Sequence, residues 1–276
     1  MINYVRGYTK FTIVVFSLVT YLFVSAITLL CRKDKRVSHK TLRLRQRFIR
    51  FVMRVLNVNI RISGAEILPK NSLIVANHQS YLDVLAIDYH CSSVFVTSKE
   101  MENTAFLGDL CKNSGCLFVN RQSIMGLKKE INEISNVLDR GFNVVIFPEA
   151  TTSDASRVLP FRSSLIESAV KSGKPINPVA INYTTINGIP LNIGNRDTVC
   201  WYSTMGFLDH LFKLSMVGSV EMTLDFMDPL RSNCHRNRKE LTAIARSMIT
   251  KCVDCLPPSQ SRNLEYFTGD RVVRFD

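Results

Sequence analysis

From residue 58 onward, short apolar runs alternate with longer stretches in which apolar residues recur every three or four positions. The short runs predict β-strands and the longer stretches predict helices that pack on them. One helix is predicted from Ser123 to Gly141, a second over residues 161–172 and a closing helix over residues 236–256, whereas residues 184–201 form a long excursion. The predicted strands are residues 60–63, 72–76, 94–97, 116–120, 144–147, 176–182 and 220–226. This alternation predicts an α/β fold with a mostly parallel sheet flanked by helices.

The segment before these elements begins with a long uncharged stretch, residues 11–31. At about 1.5 Å per residue it is long enough to cross a hydrocarbon core, which predicts a membrane helix. A cleaved signal peptide is a weaker interpretation, because the stretch stays apolar beyond the small-residue site at 24–26. A shallow re-entrant insertion remains an alternative. The basic residues that follow place the rest of the chain on the cytoplasmic side.

A second N-terminal helix is predicted over residues 43–56. When it is wound at about 100° per residue, four arginines fall within an arc of roughly 60°, and apolar side chains take the opposite side. Such a helix can lie on an anionic bilayer or pack on its own domain, and the preceding apolar stretch favours the bilayer. Arg45 is the exception to the pattern. The arginines in the arc are Arg43, Arg47, Arg50 and Arg54.

The charge of +12 is concentrated in this N-terminal segment. Residues 1–54 hold 12 of the 35 Lys and Arg residues and one of the 23 Asp and Glu residues, which leaves 23 basic against 22 acidic residues in the remainder. A nucleic-acid-binding domain is therefore not indicated, because the globular part is almost neutral. The eight cysteines are scattered, and we expect isolated thiols rather than a metal site.

Candidate chemistry is found in residues 77–83, Asn-His-Gln-Ser-Tyr-Leu-Asp. His78 lies five residues before Asp83 and follows a predicted buried strand. Sites in α/β folds form at strand ends. A histidine whose ring is held by a carboxylate can take a proton from an alcohol near neutral pH. The pair is therefore a candidate general base.

Three further segments place distinctive residues at or within predicted strands. Arg121 follows the strand at 116–120, and a carboxylate and then hydroxyls follow the strand at 144–147. A proline interrupts the apolar run 176–180. In this order and spacing the four segments resemble the glycerolipid (lysophospholipid) acyltransferase family, and they are most like 1-acyl-sn-glycerol-3-phosphate acyltransferases of the PlsC type. The family's four blocks correspond to residues 77–83, 115–121, 147–153 and 176–181.

The resemblance implies a membrane anchor and basic amphipathic helix over residues 1–57 and an acyltransferase domain over residues 58–276. It makes His78 the base and Asp83 its partner, in the family's HX4D motif. It further implies a substrate site formed by Lys99, Arg121, Glu149, Ala150 and Thr151, with Arg121 and Lys99 on the acceptor's phosphate. Ala150 departs from the family, which usually has glycine there. The extra methyl matters only if the backbone needs a positive φ.

The implied reaction transfers a fatty acyl group from acyl-CoA or acyl-carrier protein to the hydroxyl of 1-acylglycerol 3-phosphate, giving phosphatidic acid. Another lysolipid acceptor, such as a lyso-ornithine lipid, is an alternative that the sequence does not separate. No metal or other cofactor is implied. The implied partners are membrane lipids, the lysolipid and the acyl donor, without nucleic acid, and the implied site is the cytoplasmic face of a bacterial inner membrane rather than of the endoplasmic reticulum.

The sequence contains no G-x-S-x-G elbow, so we expect direct attack by the lysolipid hydroxyl on the thioester. Ser80 as an acyl carrier is less favoured, because a serine in a turn more often caps the next helix. Two interpretations of other classes remain. One is a metal-dependent hydrolase that uses His78, Asp83, Asp88 and His90, and the other is a non-catalytic membrane adaptor with the same fold.

Overall fold

The computed structural model describes residues 2–30, 37–120, 124–232 and 237–256, and two short paired strands at Tyr266–Phe267 and Val272–Val273. Its centre is an eight-stranded sheet. Every strand predicted from the sequence is present. The strands are β1 (Val58–Ser63), β2 (Leu73–Ala76), β3 (Ser93–Ser98), β4 (Leu117–Val119), β5 (Asn143–Ile146), β6 (Ile176–Ile186), β7 (Ile189–Pro190) and β8 (Val220–Phe226).

The sheet has the order β1-β8-β6-β2-β5-β3-β4, with β7 paired to β6. All neighbouring pairs are parallel except β6 with β8 and the β6–β7 hairpin. The prediction of a mostly parallel α/β sheet is thereby confirmed. The predicted excursion at 184–201 is partly wrong, because β6 continues to Ile186 and turns into the hairpin.

Helices cover both faces of the sheet, as buried parallel strands require. They are α1 (Ile2–Leu30), α2 (His39–Leu56), α3 (Tyr81–His90), α4 (Lys99–Glu102), α5 (Leu107–Asn113), α6 (Ile124–Asp139), α7 (Glu167–Ser172), α8 (Phe207–Ser215) and α9 (Arg238–Cys252). The predicted helix at 161–172 begins later, because the Arg162 backbone N–H donates to the Pro148 carbonyl and keeps that segment in a loop. The predicted cap Ser123 lies outside the described residues.

Alternate side chains of each central strand point into two separate cores. Ile74 and Ala76 of β2 pack with α1, α2, α3 and α8, whereas Leu73 and Val75 pack with α6, α7 and α9. This arrangement leaves the carboxyl ends of β2, β3, β4 and β5 at one edge of the sheet, because these strands are parallel. We refer to this as the carboxyl edge.

The two N-terminal helices pack on the domain that follows them. The Lys10 ammonium is buried and donates to the carbonyl oxygens of Leu56 (3.3 Å), Val217 (2.7 Å) and Gly218 (3.3 Å), which ties α1 to the end of α2 and to the loop after α8. The expectation that the apolar face of α2 meets the bilayer is wrong, because five apolar side chains along this helix are buried against the domain. These buried apolar residues are Leu42, Ile49, Val52, Met53 and Leu56.

The outer surface of both helices is different in character. The four arginines of α2 are exposed at Arg43, Arg47, Arg50 and Arg54. On α1, the segment Tyr4–Thr28 is long and apolar enough to cross a membrane by length and composition. Its outward side chains include Phe16 and Phe23, which are 72% and 68% exposed. One side of α1 is thus packed on the protein, and the other is an unpartnered apolar surface in the part of the chain that the structure describes.

Candidate active site

The loop that leaves β2 is held against β6 by Asn77. Its buried side chain donates to the Ile181 carbonyl (2.9 Å) and accepts from the Ile181 backbone N–H (2.8 Å). One amide side chain thus replaces a pair of strand hydrogen bonds at the point where β2 stops. The carboxyl edge is therefore rigid immediately before His78.

His78 and Asp83 are in direct contact. The imidazole Nδ1 is 2.9 Å from Asp83 Oδ2, and the carboxylate is completely buried, whereas 18% of the His78 side chain is exposed. The backbone N–H groups of Gln79 (2.6 Å) and Ser80 (2.9 Å) donate to the same carboxylate oxygen. Ser80 and Asp83 form the capping box that starts α3. The five-residue spacing is thus produced by one tight turn and one helix start.

Ser80 is occupied by this cap rather than by catalysis. Its side chain accepts from the Leu82 backbone N–H (3.4 Å), and the residue is fully buried. The position supports the interpretation of Ser80 as a capping residue.

Glu149 holds His78 from the other side. Its Oε1 accepts from the His78 backbone N–H (2.8 Å), and its Oε2 accepts from the Leu159 backbone N–H (2.9 Å). Burial raises the pKa of Glu149 to about 8, although the two backbone donors act in the opposite direction. Both carboxyl oxygens thus support the loops that carry His78 and Leu159, and a substrate contact for Glu149 stays a prediction.

Phe147 fixes the plane of the imidazole. The two rings stack with centroids 3.9 Å apart and planes 13° from parallel. The His78 carbonyl also accepts from the Ser153 backbone N–H (2.8 Å). The base is therefore held by its ring, its backbone and its carboxylate partner at once.

Ala150 lies in the left-handed region, with φ of 65°. The condition under which an added methyl matters is thus met, and glycine would adopt this conformation without strain. Thr151, which follows it, is half-buried. Both residues lie on the loop that leaves β5 at the carboxyl edge, and a substrate contact for either stays a prediction.

The two predicted phosphate ligands are Lys99 and Arg121. Lys99 starts α4 directly after β3, so it lies at the carboxyl edge, and its ammonium is 2.7 Å from Glu102 Oε2 on the same helix. Its side chain is 56% exposed, so the ammonium can exchange Glu102 for a bound anion. Arg121 lies outside the described residues, and its role stays a prediction.

An apolar cavity of about 220 Å³ opens beside His78. Side chains of α1, α2, α3, α5 and β3 line it, among them Val14, Val52, Val84, Val96 and Leu110. Arg45 also lines the cavity, and it contacts the Ser93 carbonyl at the start of β3. We call the Arg45 end of the cavity its floor. Ser93, which Arg45 contacts, and Thr97, which lines the cavity near the carboxyl edge, lie four steps apart on β3, about 13 Å at about 3.3 Å per residue. The sequence showed no motif for this cavity, because its walls come from seven helices and strands, including Met101 of α4 and Phe207 of α8, and from the loops between them.

An aromatic group stands where the cavity meets the site. Tyr81 contacts Trp201 and Phe207 edge-on, and its hydroxyl is 3.0 Å from Nδ1 of the buried His210. Burial lowers the pKa of His210 to about 4, so this histidine is neutral and can accept from the tyrosine. The Trp201 backbone N–H donates to the Gln79 carbonyl (2.8 Å), which joins this group to the catalytic loop.

The residues proposed for a metal-dependent hydrolase do not converge. Asp88 is paired with Arg45 and lies about one and a half helical turns after Asp83. Within the described residues, no group of three or more His, Cys, Asp or Glu side chains is close enough to hold a metal ion. Cys234 and His235, a possible pair of ligands in the sequence, lie outside the described residues.

Comparison with known proteins agrees with this geometry. A family model described as Acyltransferase matches residues 59–182. The chain is 29% identical over 216 residues to the lyso-ornithine lipid O-acyltransferase of Rhizobium meliloti, covering 76% of this chain and 74% of that protein. It is 30% identical over 159 residues to the 1-acyl-sn-glycerol-3-phosphate acyltransferase of Neisseria gonorrhoeae, covering 58% of this chain and 60% of that protein.

The fold is also similar to that of a solved structure. The crystal structure of the 1-acyl-sn-glycerophosphate acyltransferase PlsC from Thermotoga maritima superposes with a TM-score of 0.63 at 18% identity, over 91% of this chain and 96% of that one. At this identity the likeness concerns the fold. Residues 59–182 therefore form a domain that matches the acyltransferase family, and the shared fold agrees with that match.

Proposed function

We propose that this protein transfers a fatty acyl group from an acyl thioester to the free hydroxyl of a lysolipid at a membrane surface, with His78 as general base. The observation that carries the proposal is the apolar cavity that ends at the His78–Asp83 pair. A site of this kind presents a base to an alcohol and an apolar channel to a fatty chain. Each step below rests on one part of that geometry.

The base is oriented for proton transfer at its outer nitrogen. Asp83 accepts from Nδ1–H, which fixes the tautomer and leaves the Nε2 lone pair for the substrate. As the alcohol proton moves to Nε2, the imidazolium that forms is stabilised by the adjacent carboxylate. The hydroxyl oxygen then attacks the thioester carbonyl, and the proton on Nε2 passes to the leaving thiolate. General-base help of this kind contributes about a hundred- to ten-thousand-fold to the rate.

The cavity is suited to the fatty chain because most of the side chains that line it are apolar. Burying an alkyl chain there stabilises the bound donor by about 0.8 kcal/mol for each CH₂ removed from water. The floor at Arg45 limits how deep a chain can reach. We therefore assign the acyl group to this cavity and the lysolipid to the exposed side of His78.

We favour 1-acylglycerol 3-phosphate as acceptor, with phosphatidic acid as product. Lys99 at the carboxyl edge and Arg121 after β4 would bind its phosphate, since a guanidinium offers paired donors to phosphate oxygens. A lyso-ornithine lipid is the second candidate, because the Rhizobium meliloti relative so named matches 76% of this chain. The donor is acyl-CoA or acyl-carrier protein, and the assay described below distinguishes the two.

The membrane provides the lysolipid, and α1 would meet it through its outward apolar side chains. The exposed arginines of α2 would contact anionic head groups beside it. Basic residues after α1 favour a cytoplasmic catalytic domain. This arrangement would bring a membrane-borne acceptor to the carboxyl edge without extracting it fully into water.

The test is transfer of a labelled acyl group by the full chain in detergent micelles, with acyl-CoA and acyl-carrier protein as donors and both lysolipids as acceptors. His78→Ala should remove the product, and His90→Ala, a half-buried histidine at the end of α3, is the matched control. Phosphatidic acid as the main product supports the first acceptor, and acylated ornithine lipid supports the second. Wild-type protein that acylates neither lipid with either donor would refute the proposal.

A further inference from the structure

Asp83 has a further hydrogen-bond donor that lies outside the four sequence blocks. The Tyr183 hydroxyl donates to Asp83 Oδ1 at 2.5 Å, while His78, Gln79 and Ser80 share Oδ2. Tyr183 lies on β6, one hundred residues along the chain, and it is 5% exposed. It is the donor to the carboxylate oxygen that His78 does not contact.

We propose that Tyr183 is a positioning residue that sets the basicity of the His78–Asp83 pair. The inference rests on the proposed function, because the role of this pair as a base belongs to that function. Tyr183 acts through Asp83 and does not touch the reacting atoms.

The carboxylate of Asp83 depends on neutral donors for its stability. In the part of the chain that the structure describes, no lysine or arginine forms an ion pair with it. The other titratable groups that interact with it are Glu149 on the loop after β5 and Cys200 before α8, and Arg246 of α9 interacts with Glu149. Burial, and then the Asp83 charge, raises the pKa of Tyr183 well above its ordinary value. The phenol therefore stays protonated and remains a donor over the working pH range.

A short bond from a phenol withdraws part of the negative charge from Asp83. Less charge then remains to attract the proton on His78 Nδ1, so the imidazolium is stabilised less than it would be by an otherwise unbonded carboxylate. The phenol is therefore expected to weaken the hold of Asp83 on the imidazole proton. Loss of the phenol should make the imidazole hold its proton to a higher pH.

The experiment is Tyr183→Phe, which removes only the hydroxyl oxygen. The titration of the His78 imidazole is followed by ¹⁵N NMR of the full chain in micelles, with the signal assigned among the five histidines by its absence in His78→Ala. We expect the titration midpoint to rise by about one pH unit, the size expected for one lost hydrogen bond to a charged group. The acidic limb of the pH–rate profile should move in the same direction.

Tyr202→Phe is the matched control. The Tyr202 hydroxyl donates to Asp197 Oδ1 at 2.6 Å, and Tyr202 is also buried, but among the described residues Asp197 forms no hydrogen bond with His78 or Asp83. Asp197 is exposed and also lies 3.8 Å from Arg196 Nε, so this bond is separate from the His78–Asp83 contact. The same chemical change at this second tyrosine–aspartate bond should leave the His78 midpoint unchanged. An equal shift in both variants would overturn the inference.

If Tyr183→Phe does not fold, a second variant tests the same inference. Replacement of Tyr183 by 3-fluorotyrosine keeps the bond and makes the phenol a stronger donor, so the midpoint should fall. An unchanged or raised midpoint in that protein would overturn the inference. In an Asp83→Asn background, Tyr183→Phe should no longer move the midpoint, because the residue through which it acts has lost its charge.

The NMR readout needs no substrate, and this separates the two failures. A midpoint that shifts in a protein that transfers no acyl group supports the positioning role and refutes the proposed reaction. Acyl transfer by Tyr183→Phe with an unshifted midpoint refutes the positioning role and leaves the reaction intact.

Discussion

Helix α3 carries two buried aspartates that the fold treats in opposite ways. Asp83, at its start, is held by neutral donors and a histidine. Asp88, near its end, is neutralised by Arg45, whose Nε and Nη2 reach its two oxygens at 2.9 and 2.6 Å. Both carboxylates have no solvent exposure. The first lies at the carboxyl edge, and the second lies beside Arg45, which lines the cavity.

The difference shows how one helix can serve both structure and chemistry. A carboxylate paired with a buried guanidinium has its charge cancelled, so it holds α2 and α3 together without responding to events at the site. A carboxylate held by neutral donors keeps its charge, and it can stabilise an imidazolium as it forms. Among the described residues, no lysine or arginine forms an ion pair with Asp83 at the carboxyl edge.

The largest effect should come from Asp83→Asn. Asparagine preserves a side-chain acceptor for the helix start but cannot stabilise the imidazolium by charge. We expect kcat/KM for acyl transfer to fall by about a hundred- to ten-thousand-fold while the fold remains intact. Steady-state kinetics together with thermal unfolding would check both parts. Comparable activity in Asp83→Asn and wild type would show that the charge of Asp83 has no role in the reaction and that the two aspartates do not differ in this way.

Removal of one partner at the floor should instead destabilise the protein. Arg45→Met leaves Asp88 buried without a cation, which is expected to lower the free energy of unfolding by about 3–5 kcal/mol. The double variant Arg45→Met/Asp88→Leu should recover most of that loss, because no uncompensated charge remains. Denaturant unfolding of the three proteins tests this. A double variant as unstable as Arg45→Met would show that the pair is not a charge-compensated unit.

The raised pKa of Glu149 predicts that the free energy of unfolding depends on pH. Its pKa is raised by burial to about 8, so the folded state keeps a proton that the unfolded state releases near pH 4.3. The stabilisation is complete below the unfolded value and is lost as the pH rises through 8. Between pH 5.5 and 7.5, wild type should lose about 2.7 kcal/mol relative to Glu149→Gln, which has no proton to release. A difference that stays constant with pH would contradict a raised pKa.

The cavity predicts a change in chain-length preference. Val84 lines it from α3, and Val84→Phe should shorten or narrow the space for the fatty chain. The ratio of kcat/KM for long over short acyl donors is expected to fall about tenfold, the discrimination typical of small changes in an apolar pocket. Val170→Phe, at a half-buried position on α7 against the other core, is the matched control. An unchanged ratio in Val84→Phe would place the acyl chain elsewhere.

The smallest effect concerns Ala150. Because φ there is 65°, Ala150→Gly should relieve strain and raise the free energy of unfolding by about 1 kcal/mol. Ala243→Gly, at an exposed position inside α9, should lower it by about 0.5–1 kcal/mol. Chemical denaturation distinguishes the opposite signs. If both glycine substitutions lower the free energy of unfolding, the positive φ at position 150 does not strain the alanine.

Local chemistry in the sequence anticipated part of this site. The contact between His78 and Asp83 follows from a turn and a capping box only six residues long, so spacing alone was informative. The strands were found because each is a short apolar run between polar turns. Helices α3, α4, α5 and α8 were given no bounds from the sequence, since each is only four to ten residues long and its apolar periodicity is too brief to detect.

Long-range partners could not be anticipated in the same way. Tyr183 reaches Asp83 because β6 pairs in parallel with β2 and continues beyond the point where β2 ends, alongside the loop that leads to Asp83. Arg45 appeared as an irregularity in a basic stripe, and its partner Asp88 became evident only once α2 packed on α3. The role of Glu149 depends on two backbone donors in separate loops, which no residue pattern encodes.

The most direct test of the account is a kinetic double-mutant cycle of His78→Ala and Asp83→Asn. If the buried carboxylate acts through the imidazole, the double variant should transfer acyl groups as slowly as His78→Ala alone and no more slowly. If the two losses multiply, Asp83 would act on the reaction independently of His78, and the catalytic role assigned to their contact would be wrong.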